Sequence, residues 1–131
     1  MTTGEQIDRL VVMVLKNCRI CGEAPAKAWV PVHDFIHNLA RVTLETEILD
    51  DIAELLLAIH KSIWNRDTHV RNADVDFANA EQCAFLGRMA VDARDFNHLR
   101  TRVVSIINLL CGEPADPNVA DGRLATNKKE I

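Results

Sequence analysis

Hydrophobic residues recur along this chain at intervals of three and four, the period of amphipathic helices packed on a shared core. The first such segment spans about Glu5 to Asn17, with Ile7, Leu10, Val11, Val14 and Leu15 inward, and Gly22 and Pro25 stop it. Residues 22–30 read as a loop containing Trp29. The stretch from Pro31 to Arg66 organises the rest. It contains no Gly and has its only Pro at its first position, as a helix should begin. Its first half puts Val32, Phe35, Ile36, Leu39 and Val42 on one stripe, and its second half does the same with Ile48, Ile52, Leu55, Leu56, Ile59 and Ile63. Advancing about 100° per residue, the second stripe is turned from the first by roughly a quarter turn or more. A break or bend near Thr43 to Thr46 is therefore expected. Thr46 would be the N-cap, and Glu47 and Asp50 would favour the positive end of the new helix.

Leu49, Ala53, Leu57 and Trp64 widen the second stripe until only Glu47, Asp50, Asp51, Glu54, Lys61 and Asn65 mark a solvent side. A helix this apolar is central to its fold or pairs with another subunit. The polar segment Asp67 to Asp74 reads as a loop. A helix from about Val75 to Ala93 follows, with Phe77, Ala80, Ala84, Phe85 and Met89 as its apolar set and Gly87 as a weak point. A last helix runs from Phe96 to Cys111 on Leu99, Val103, Ile106, Ile107 and Leu110, capped by Asp95 or continuous with its predecessor. From Glu113 to Ile131 the composition shifts to Pro, Ala, Asp, Asn and Lys, an extended or disordered tail. No segment alternates as a strand would. The prediction is an all-α bundle of four to five helices over residues 1–112, with a flexible tail over 113–131.

Composition adjusts this picture only slightly. With 131 residues, 48% of them hydrophobic, the chain is long enough for a sizeable core without a metal or a disulfide. A formal net charge of −4 disfavours nonspecific nucleic-acid binding, which depends on Lys and Arg neutralising phosphates. No run approaches the ~20 apolar residues of a membrane span. Leu10 to Leu15 is apolar but lacks a basic lead, so it does not read as a signal peptide. The four cysteines are accordingly expected to be reduced thiols in a cytoplasm.

Three constellations could carry chemistry. Cys18-Arg-Ile-Cys21-Gly22 is followed, eleven residues later, by His33-Asp-Phe-Ile-His37. Two thiolates in C-x-x-C and two imidazoles one helical turn apart can close a tetrahedral zinc site. Over about twenty residues this spacing resembles that of the C2H2 zinc finger family. Pro25 and Pro31 leave little room for that family's hairpin, so the resemblance implies a zinc knuckle against a helix, with Cys18, Cys21, His33 and His37 as ligands and no base-reading role. The competing reading starts from an echo: Cys21-Gly22-Glu23-Ala24-Pro25 against Cys111-Gly112-Glu113-Pro114. Both look like helix stops, with Gly just past the end and Pro beyond. A site made of Cys18, Cys21, Cys83 and Cys111 is a further possibility for zinc.

The second constellation is acidic. Glu45, Glu47, Asp50, Asp51 and Glu54 form either a solvated face or a docking patch for a basic partner. No inward Glu-x-x-His pair supports a di-metal bundle site. The third is Arg94-Asp-Phe-Asn-His98 and Arg66-Asp-Thr-His69, both shorter than the Arg-x4–6-His of HEPN ribonucleases.

The leading expectation is a non-enzymatic helical interaction protein: an adaptor, inhibitor or regulatory subunit that forms a homodimer through the apolar 48–64 helix. A zinc-stabilised module with Arg19, Lys27 and Arg41 as basic contacts is the second expectation, and an Arg–His ribonuclease the third.

Overall fold

The computed structural model describes residues 1–39 and 46–115. It is an all-α bundle of four helices: α1 (Thr3–Arg19), α2 (Pro25–His37), α3 (Thr46–Asn72) and α4 (Ala80–Leu110), with no strand among the described residues. None of the helices is long and apolar enough to cross a membrane. Contacts between helices give the chain course. Gly4 and Asp8 of α1 meet Asn108 and Arg100 of α4, and Arg66 of α3 meets Asp92 of α4, so α4 runs antiparallel to both. Asp8 and Arg19 of α1 meet His60 and Asn65 of α3, so those two run in the same sense. The α3–α4 hairpin has the most extensive interface. α1 packs on all three other helices, and α2 rests on α1 and α3.

α1 follows its apolar pattern closely. Ile7, Val11, Val14 and Leu15 are buried, and Leu10 packs against them half-buried. Thr2 caps the helix, its hydroxyl accepting from the Glu5 N–H, and Lys16 and Arg19 complement the negative C-terminal end. The next helix differs from expectation. The segment read as a loop with Trp29 is already helical, because Pro25, not Pro31, is the proline at the helix start. Ala28, Val32 and Ile36, each four apart, form its buried row. Pro31 sits inside α2 on an exposed face, where the Lys27 carbonyl, which its missing N–H would have served, can reach water. The helix has no side-chain cap at Ala24.

α2 ends at His37 and α3 begins at Thr46, so the Pro31–Arg66 stretch is two helices rather than one bent one. Residues 40–45, with most of the expected break and Val42, Arg41 and Glu45, lie outside the described residues. Thr46 is the first described residue of α3 and is already helical, so it is not the cap. α3 buries Leu49, Ala53, Leu56 and Ile59, with Ile52, Leu57 and Ile63 half-buried, while Ile48 and Leu55 are exposed. Its inward face is thus turned from the expected stripe. The helix also runs through Asp67 to Asn72, where a loop was expected. No Gly or Pro interrupts that polar segment, and α4 supports one side of it: Arg66 stacks on Phe96 and His69 meets Phe85 edge-on.

The expected helices 75–93 and 96–111 are one helix starting five residues later. Asn79 caps it by accepting from the Gln82 N–H, and the Gln82 side chain returns to the Asp76 N–H and the Asp74 carbonyl. Phe77 therefore lies in a turn, 88% exposed, and Phe85 is exposed too. Leu86, Ala93, Val103, Val104 and Ile107 are the buried apolar residues, and Ser105 and Asn108 are buried among them. Asp95 is mid-helix, not a cap. At the C-terminus Gly112 has φ 75° and the Glu113 N–H returns to the Asn108 carbonyl at 2.7 Å, a Schellman stop. Gly22, at φ 68°, lies one residue further past the end of α1, where the Glu23 N–H returns to the Asn17 carbonyl at 3.0 Å. The Cys-Gly echo is therefore a pair of helix stops.

Glu113 belongs to the folded unit rather than to a tail. Its carboxylate accepts from the Thr3 N–H at 3.1 and 3.2 Å, joining the two ends of the bundle. The rest of the expected tail, from residue 116, lies outside the described residues.

Candidate functional site

The residues read as zinc ligands are all described, and the fold does not bring them to one point. Cys18 and Cys21 lie at the C-terminal end of α1, whereas His33 and His37 lie toward the far end of α2. From Pro25 to His33 and His37 is roughly 12 and 18 Å along the axis at 1.5 Å per residue. Among the described residues no three His, Cys, Asp or Glu side chains converge on a metal position. The physical reason is the early start of α2, which converts the expected knuckle loop into rigid helix. His33 and His37 stack on each other, centroids 4.0 Å apart, and His37 donates from Nε2 to Asp50 of α3 at 2.9 Å. Cys83 sits in the first turn of α4, where its thiol donates to the Asp76 carbonyl at 3.7 Å, so the all-cysteine grouping does not form either.

The cysteines differ in reactivity. Burial, reinforced by the nearby Glu113 carboxylate, pushes the Cys111 thiol above its ordinary range, leaving less thiolate at neutral pH. Cys21 is exposed. Mass-resolved alkylation with iodoacetamide at pH 7.5 should therefore label Cys21 first and Cys111 several-fold more slowly; the reverse order would contradict the burial of Cys111.

The Arg66–His69 pair does not present a joint polar pair. The Arg66 guanidinium lies over Phe96, donates to the Ser62 carbonyl and faces Asp92, and His69 packs on Phe85. Arg94 is exposed beside Asp95. Of the acidic run, Glu47, Asp51 and Glu54 are exposed, Asp50 faces His37, and Glu45 lies outside the described residues.

One polar cluster escaped sequence reasoning. Asp8 of α1 accepts from His60 Nε2 of α3 at 2.7 Å and from Arg100 of α4 at 2.9 Å, all three side chains being largely buried. Each of the three falls at the edge of an apolar stripe, but their positions 8, 60 and 100 are too far apart in sequence to suggest a pairing. Charge-assisted bonds of this kind tie three helices in one register. His60 and Arg100 both bond to the Asp8 carboxylate, so the cluster clamps α1 to α3 and α4.

The remaining candidate is a surface. Ile48 and Leu55 of α3 are 42% and 49% exposed, and Leu99 and Ile106 of α4 are 40% and 49% exposed. Residues 48 and 55 are two turns apart on one row. Arg66 is three turns further on, and it meets α4 at Asp92 and Phe96. Residues 92, 99 and 106 likewise share one row of α4. The two rows therefore run antiparallel along either side of the α3–α4 seam. Counting back from the Arg66 contacts puts Leu55 level with residues 103–107, hence with Ile106, and Ile48 near the end of α4. One end of the seam is closed by Arg66 and Asp92, and the rest is flanked by exposed Ile and Leu. The α3 side is bordered by Glu47 and Asp51 and the α4 side by Arg102, none of them in an ion pair among the described residues.

No protein-family model, curated protein or solved structure matches this chain.

Proposed function

We propose that the protein is a non-enzymatic helical interaction module, an adaptor, inhibitor or regulatory subunit, that pairs with a second copy through the outer face of the α3–α4 hairpin. The observation carrying this reading is that Ile48, Leu55, Leu99 and Ile106, each 40–49% exposed, lie on two helix rows that flank one seam. Completing the burial of each contributes about 1 kcal/mol, half of what burying a fully exposed Leu or Ile gives. The charges beside the strip favour a two-fold partner. A second copy turned to lay its α4 against the first α3 meets Glu47 and Asp51 with Arg102, and the same pairing recurs on the other side.

Light scattering on purified variants tests it. Leu55→Glu and Ile106→Glu each place a charge in the strip without touching a buried side chain. Each should weaken self-association tenfold or more while helical content and melting temperature stay near those of the unaltered protein. Variants that dimerise as well as the unaltered chain would place the interface elsewhere.

A further inference from the structure

On the opposite side of α3 from the seam, α1, α2 and α3 enclose an open groove of about 630 Å³. Its apolar wall includes Val14, Leu15, Trp29 and Leu57, and its charged lining residues are Arg19, Lys61 and Glu54. We propose that this groove binds an amphiphilic monocarboxylate, a small molecule with an apolar body and one anionic head.

Volume and lining come first. The groove is within the ~300–1,000 Å³ range of small-molecule sites, and such sites are mostly apolar with a few placed polar groups. Trp29 and Leu57 are only half-buried, so the native packing leaves the apolar floor wet. A bound hydrocarbon or aryl body would dry it. The distribution of charge then selects the head group. Lys61 has no hydrogen bond or ion pair among the described residues, and Arg19, although it donates to Asn65 and lies over Trp64, keeps further guanidinium donors. Glu54 is two turns before Lys61 on α3, roughly 10 Å away along the axis. The two cations thus hold one end and the single acid the other, which orients a carboxylate toward Lys61 and Arg19 and repels it from Glu54. A cationic amphiphile would face two positive charges against one negative. This site shares no residue with the proposed dimer strip, so the two readings stand or fall separately.

Decanoate, below its micellar concentration, is the probe, with decanol and decylamine as neutral and cationic counterparts. Isothermal titration of the full chain, checked by the fluorescence of the Trp in the groove wall, should show saturable one-to-one binding of decanoate and weaker binding of the other two. Lys61→Glu should weaken decanoate about tenfold and leave decanol unchanged. Leu57→Trp should fill the groove and weaken decanoate and decanol alike, with circular dichroism confirming the fold. No saturable decanoate binding, equal binding of decylamine, or indifference to Lys61→Glu would each overturn the proposal. So would a change in molar mass on Leu57→Trp, which would mean that a second copy occupies the groove.

Discussion

Replacing Gly4 with Ala should destabilise the protein by about 2–4 kcal/mol, the sum of an overpacked contact and a strained buried hydrogen bond. Gly4 is buried where α1 crosses the last turns of α4, and its N–H donates to Asn108 Oδ1 at 2.7 Å. A Cβ there would stand 2.5 Å from that same oxygen, 2.5 Å from the Val104 carbonyl oxygen and 3.0 Å from Val104 Cγ1. The Val104 oxygen belongs to helical backbone and cannot swing aside. Asn108 is fully buried, with its Nδ2 unpartnered among the described residues, so the side chain has no solvent to swing into. Relief by separation of α1 from α4 would also pull Glu113 away from the Thr3 N–H. Chemical denaturation should show a lower midpoint with an unchanged slope. Gly87→Ala is the matched comparison. Nothing lies within 4 Å of the added methyl, and the site is inside an α-helix, so stability should rise by about 0.5–1 kcal/mol. Equal effects at the two glycines would contradict the close approach at Gly4.

Asp8→Ala should cost roughly 2–3 kcal/mol, because it strands two partners at once. His60 and Arg100 remain 14% and 22% exposed at the side chain, so neither is fully hydrated once the carboxylate is gone. The residual exposure keeps the loss below that of a fully buried pair. The change also removes the Asp8–Arg100 bond between α1 and the middle of α4, and urea denaturation followed by circular dichroism would measure it. A loss within about 0.5 kcal/mol, the range of an ordinary surface substitution, would mean that solvent already carries these charges.

These two sites show where sequence reasoning stops. The helical class, the course of α1 and the inward row of α2 from Val32 to Ile36 are written in three-and-four spacing, because a helix with one apolar face has one way to turn. α3 and α4 carry apolar residues around most of their circumference. Their phase is then decided by partners, and Leu49 and Leu86 are inside where Leu55 and Phe85 were expected. Pro25 and Pro31 both suit a helix start, and the choice between them rests on Ala28, whose burial is a tertiary fact. The same choice separates Cys18 and Cys21 from His33 and His37. Asn108 and the Asp8 clamp are legible only once three helices are assembled. A polar residue in an apolar stripe gives no sign of which distant group it meets.

Within the apolar 48–64 segment, Ile48 and Leu55 are left exposed by the described helices. Their alignment with Leu99 and Ile106 needed the hairpin register.

Sedimentation equilibrium of the unaltered chain over a hundredfold concentration range tests the central claim most directly. Pairing through the hairpin predicts a mass that rises to that of two chains and stops there, as a closed two-fold interface requires. A mass of one chain at every concentration would contradict it.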